Sequence, residues 1–156
     1  MRPGSVVPVE ILSARTIIHP SDLDRSLAFY RDQLGLAVAR EFGAGDHRGV
    51  VFFAGGGLLE VTGGGPAGAR PSVNAPGLAL WLQVRDVHAA VDELSAVRVP
   101  VARRPQVEPW GLVEAWVDDP DGLRIHLVEV PADHPLRRDT RALRGAPGPA
   151  PSGGWR

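Results

Sequence analysis

Histidine is the residue type best suited to moving a proton near neutral pH, because the ordinary titration of imidazole lies there. The 156-residue sequence has five. His47 and His134 fall in stretches read as loops, where solvation is the expectation. His88 falls in the first turn of an expected helix and should face water. His19 and His126 fall in expected strands. Alternation along Ile11 to His19 puts Arg15, Ile17 and His19 on one face, with Thr16 and Ile18 on the other. In a second strand, Leu78 to Val84, the residues Ala79, Trp81 and Gln83 share a face. Trp81 offers either a flat apolar wall with an indole N–H as polar handle, or a core side chain. Trp110, in a proline-flanked loop, is read as a lid or as a loop anchor.

Several chemistries are excluded at once. No cysteine is present, which removes disulfides, thiolate nucleophiles and cysteine–zinc sites. The GGG runs lack the Lys-Ser/Thr ending of a phosphate loop, and no helix pattern follows them. There is no nucleophile elbow and no Ser-His-Asp spacing. The formal net charge of −1 favours neither nucleic acid nor an acidic membrane. The arginines from Arg137 to Arg144 have no aromatic platforms beside them and read as a solvated surface. No apolar run approaches the ~20 residues that span a bilayer. The N-terminus has no long apolar core, so no signal peptide is read and a cytoplasmic protein is expected.

The elements that must position these side chains come as a repeat. HPSDLDRSLAFYRDQLGL, His19 to Leu36, predicts a helix over about 22–34. It is capped at Ser21 or Asp22, striped by Leu23, Leu27, Tyr30 and Leu34, and closed at Gly35. QVRDVHAAVDELSAVRVPV, Gln83 to Val101, repeats the design, with Asp86 as cap and Val87, Ala90, Val91, Leu94 and Val97 as stripe. The two capping aspartates are 64 residues apart. Strands are expected at Ile11 to His19, Leu36 to Phe42, Gly49 to Phe53 and Leu58 to Thr62 in the first unit. In the second unit they are expected at Leu78 to Val84, Val99 to Arg103, Leu112 to Val117 and Leu123 to Val130. RPQVEPWG, residues 104–111, reads as a loop, and DPDG at 119–122 as a hairpin turn. The Gly/Pro-rich segment 63–76 reads as a linker between two modules, 11–62 and 77–131, of one domain. Residues 132–156 read as a tail with a short basic helix and a disordered end.

Tandem units bearing SDLDRSLAFYRDQLGL and WVDDPDGLRIHLVE resemble the vicinal-oxygen-chelate superfamily of glyoxalases, bleomycin-resistance proteins and extradiol dioxygenases. The resemblance covers residues 11–131. It implies an α+β fold: paired β-α-β-β-β modules whose two curved, mixed four-stranded sheets enclose a small-molecule pocket, often completed in a homodimer. It also implies four positions for metal ligands. In this chain they read Arg15, Glu60, Ala79 and His126.

A catalytic metal ordinarily takes about three protein ligands. Glu60 and His126 supply two, Ala79 has no donor atom, and Arg15 is a fixed cation that repels a divalent ion. The expectation is therefore no cofactor. Arg15 pairs with Glu60 or grips a ligand oxygen, and His126 donates to the ligand or moves a proton. The pocket is expected to be lined by Ile17, His19, Trp81, Gln83 and Trp110. Two alternatives remain open. Arg15, Glu60 and His126 form a metal-free catalytic set, or Glu60 and His126, completed by His19, hold a divalent metal in a lyase or dioxygenase. A plain buried ion pair between Arg15 and Glu60 is the remaining reading.

Overall fold

A computed structural model describes residues 9–64 and 77–137. Each half of the chain builds a strand, a helix and three further strands. In the first half these are β1 (Thr16–Ile18), α1 (Leu23–Leu27), β2 (Val38–Phe42), β3 (Gly49–Ala54) and β4 (Gly57–Thr62). In the second they are β5 (Ala79–Val84), α2 (Val87–Ala96), β6 (Val101–Val107), β7 (Val113–Asp118) and β8 (Arg124–Glu129). The sheets have the same order, β1-β4-β3-β2 and β5-β8-β7-β6. In each, the first strand lies parallel to the last and the other pairings are antiparallel.

Both helices start as their caps dictate. Asp22 accepts from the Arg25 amide at 3.0 Å and Asp86 from the Ala89 amide at 2.9 Å. Gly35 takes φ +75°, the left-handed residue that closes the first helix. Between α1 and Gly35 the chain continues as a π-helical stretch, Ala28–Gln33. Its wider turns let the adjacent Phe29 and Tyr30 both bury, where a regular helical stripe places only Tyr30. One cluster of buried side chains draws on both halves, including Leu27, Tyr30 and Phe52 from the first and Val91, Val117 and Ile125 from the second.

Polar bonds tie the halves together. The buried Tyr30 hydroxyl donates to Asp119 at 2.8 Å. Asp119 also accepts from the Asp121 and Leu123 amides at 2.9 and 2.8 Å, which fixes the DPDG turn. The Ser21 amide donates to Asp121 at 2.8 Å. Burial and, next, the Asp119 carboxylate push the Tyr30 phenol far above its usual pKa.

The structure corrects several boundaries. β1 covers only Thr16–Ile18, so Arg15 precedes it and His19 follows it. β6 runs on to Val107, through half of the stretch expected as a loop. Pro105 is tolerated because β6 is an edge strand, and the pairing register shifts between Arg103 and Gln106. Val97 is exposed and lies outside the α2 stripe. The expected linker beyond residue 64, and the basic helix and tail beyond residue 137, lie outside the described residues.

Candidate functional site

The repeat extends to register. Ile17 pairs with Glu60 across β1 and β4, and Trp81 pairs with His126 across β5 and β8. Glu60 and His126 thus occupy matching places in the two sheets. Arg15 and Ala79 each lie two residues before the paired residue of their first strand.

In the first sheet, an Arg15 guanidinium nitrogen lies 2.9 Å from a Glu60 carboxylate oxygen. Arg15 is about half exposed and Glu60 mostly buried. Ile17 and Phe53 are exposed on this sheet at 51% and 54%.

The second sheet carries a row of side chains across all four strands: Trp81 on β5, His126 on β8, Trp116 on β7 and Arg103 on β6. The His126 and Trp116 rings sit 5.0 Å apart, tilted by 35°. The Arg103 guanidinium lies 3.8 Å above the Trp116 ring, and that of Arg124 lies 5.0 Å from it. Trp81, at 50% exposure, is the open end of the row.

Beside the row, on the same face of β7 as Trp116, sits Glu114, only 4% exposed. One of its oxygens accepts from Trp110 Nε1 at 3.0 Å, and the other lies 3.2 Å from His126 Nδ1. Arg103 stands 3.9 Å from that second oxygen and is paired to Glu108. Four buried side-chain polar atoms among the described residues have no partner: His19 Nδ1, Ser26 Oγ, Arg103 Nε and Trp116 Nε1. Two of the four belong to the aromatic row, where each unmet donor costs about 1–3 kcal/mol.

The expected site residues are therefore brought together in two groups. Arg15 meets Glu60, and Trp81 neighbours His126. Trp110 joins the second group through Glu114, consistent with an anchored loop. His19 stands apart. Among the described residues no hydrogen bond or ion pair links Arg15 or Glu60 to His126. His47 and His88 are exposed as expected, whereas His134 is half-buried and its Nε2 lies 3.0 Å from the Trp110 carbonyl oxygen.

A cleft of about 480 Å³ opens between the halves, lined by Leu36 and Gly55 on one side and Trp81 and Gln83 on the other. It is large enough for a small organic molecule. Arg15, Glu60 and His126 are not in its wall.

The residues at the four positions do not fit a divalent ion. Ala79 offers no donor, the Arg15 cation holds the carboxylate of Glu60, and one nitrogen of His126 faces Glu114. Among the described residues no three His, Asp or Glu side chains gather as a ligand set.

Glu114, Trp116 and Arg103 went unread in the sequence. Alternation in LVEAWV does place Glu114 and Trp116 on one face, and counting outward from the DPDG turn sets Trp116 opposite His126.

Comparison with known proteins agrees with this architecture. The sequence profile of the Glyoxalase/Bleomycin resistance protein/Dioxygenase superfamily matches residues 13–127. A probable lactoylglutathione lyase of Synechocystis is 31% identical over 121 residues, covering 73% of this chain and 92% of that protein. A probable lactoylglutathione lyase of Vibrio cholerae is 28% identical over 121 residues, covering 73% and 87%. A crystal structure of a superfamily member from Sphaerobacter thermophilus superposes with a TM-score of 0.61 at 27% identity, covering 78% of this chain and 98% of that one. With the profile spanning most of the described residues and both sheets in the matching order, the chain belongs to the Glyoxalase/Bleomycin resistance protein/Dioxygenase superfamily.

Proposed function

We propose that the chain binds a planar aromatic small molecule without a resident metal, against the face formed by Trp81, His126 and Trp116. The observation that carries this reading is the cross-strand row, with Trp81 half exposed at its open end and beside a cleft of suitable size. An indole surface contributes apolar area and ring stacking worth about 0.5–1.5 kcal/mol beyond burial. Arg15, already neutralised by Glu60, supports a metal-free site. The test is a tryptophan-fluorescence titration with a panel of planar aromatic compounds. Saturable quenching that weakens at least tenfold in Trp81→Ala is the expected result. Quenching unaffected by that change contradicts the reading.

The pocket is proposed to be completed in a homodimer. Ile17, Phe53 and Trp81 leave apolar surface exposed on both sheets, and a second copy would cover it. Sedimentation analysis should give twice the chain mass. The lack of cysteine is in keeping with a cytoplasmic setting.

A second reading, a lyase-type enzyme, is favoured by the names of the two relatives, and here it is taken as metal-free. In it Arg15 stabilises a developing oxyanion and Glu60 or His126 moves a proton. Turnover of a bound compound, abolished in a folded Arg15→Ala variant, would select it over simple binding.

A further inference from the structure

We infer that Glu114 is a positioning residue that sets the hydrogen-bonding polarity of the aromatic row. It fixes neutral His126 as the Nδ1–H tautomer, so that Nε2 accepts from a ligand bearing an aromatic hydroxyl or N–H. This deepens the binding reading above and rests on it for the ligand, but the tautomer stands on geometry alone.

Glu114 is nearly fully buried, and its two oxygens face two different groups. Trp110 Nε1 can only donate, and it occupies one oxygen at 3.0 Å. The other oxygen faces His126 Nδ1 at 3.2 Å, with the Arg103 cation 3.9 Å away. A carboxylate has no proton to give, so it can only accept from the groups that face it. The imidazole nitrogen that meets it must therefore carry the proton.

A neutral imidazole has one proton, so Nε2 is left with a lone pair. Among the described residues Nε2 has no hydrogen-bond partner, and it is not among the buried orphan atoms. His126 is itself partly exposed, between Trp81 and Trp116 in the row. A planar guest lying along these rings meets an acceptor at their centre. The remaining charged groups on this face are engaged: Arg103 with Glu108, and Arg124 with Asp118. A phenol-type hydroxyl or ring N–H satisfies the open nitrogen, and an ether or ketone oxygen at that place does not.

The test begins on the free protein, ¹⁵N-labelled and held above the imidazole titration range. Long-range ¹H–¹⁵N correlation spectra distinguish the two tautomers of each ring, and loss of one pattern in His126→Gln assigns the site. Nδ1–H is expected at His126 in the wild type and in Trp110→Phe, which leaves the Glu114–His126 contact in place. Nε2–H is expected in Glu114→Met, which keeps side-chain length and removes the carboxylate. Nε2–H in the wild type, or Nδ1–H persisting in Glu114→Met, overturns the assignment. If Glu114→Met does not fold, the wild-type tautomer decides alone.

Binding of a naphthol is then compared with that of its methyl ether. The naphthol is expected to bind about three- to tenfold more tightly, the worth of one hydrogen bond, and the preference should vanish in Glu114→Met. Equal affinity, or binding of neither probe, overturns the ligand class. With an Nδ1–H tautomer, equal affinity would leave both the binding reading and the role of Glu114 in the ring's tautomer standing without the ligand class, and binding of neither probe would leave the tautomer standing while the binding reading falls.

Discussion

Arg15 and Glu60 meet at 2.9 Å, at two of the four positions where metal-dependent relatives are expected to place ligands. Arg15 leads into β1, and Glu60 lies in β4, which runs parallel to it. The guanidinium is half exposed, so the pair is worth little to stability. Its consequence is electrostatic: a fixed cation and an engaged carboxylate stand in the first sheet. Replacing Arg15 by Ala should lower the unfolding free energy by about 1 kcal/mol or less. Urea denaturation measures it. A much larger loss would make the pair a structural element of the core.

The capping aspartates test the repeat. Asp22 and Asp86 each bond an amide in the first turn of their helix. Replacement of either by Ala should cost about 1 kcal/mol. The two sites share no partner, so the double variant should show the sum. Thermal or urea unfolding of the single and double variants checks both statements.

How far the sequence was legible follows from which interactions are local. Caps, helical stripes and the DPDG turn depend on residues a few positions apart, so Asp22, Asp86 and Asp119 could be placed from the string alone. The 64-residue spacing of the caps carried over into matched register, Ile17 with Glu60 and Trp81 with His126. Glu114 could not be recognised that way. Its meaning comes from Trp110 across a turn and His126 across a strand pair, and a lone glutamate in a strand signals neither. RPQVEPWG read as a loop because sequence does not say which strand is an edge and can carry a proline such as Pro105. The π-helical stretch escaped because its wider turn is set by packing of Phe29 and Tyr30, whose rings meet edge to face at 5.0 Å.

Tyr30 gives a pH-dependent prediction with an unusually clean background. It is the only tyrosine, and the chain has no lysine or cysteine. Folding raises its pKa, by burial first and by Asp119 second. The unfolded chain therefore loses its phenolic proton near pH 10 while the folded one keeps it. Stability from this group is complete below about pH 10 and falls as pH rises beyond it. Tyrosinate absorbance should stay absent until unfolding. The loss of stability between about pH 9 and about pH 11 should be much smaller in Tyr30→Phe. A normal tyrosinate titration in the folded protein would contradict the burial.

The core should respond as a close-packed interior does. Phe52 is fully buried in the cluster shared by both halves, with its ring 6.4 Å from that of Tyr30. Truncation to Ala should cost about 3–5 kcal/mol. Calorimetry measures it, and a single transition lost as a whole would show that the halves unfold together.

The central claim is that the protein holds its guest with its own side chains, without a resident metal. Elemental analysis of the purified protein, after equilibration with divalent cations and removal of free metal, tests it most directly. The account predicts no stoichiometric metal in the wild type and no change in His126→Ala. One bound divalent ion per chain, lost in His126→Ala, would contradict it.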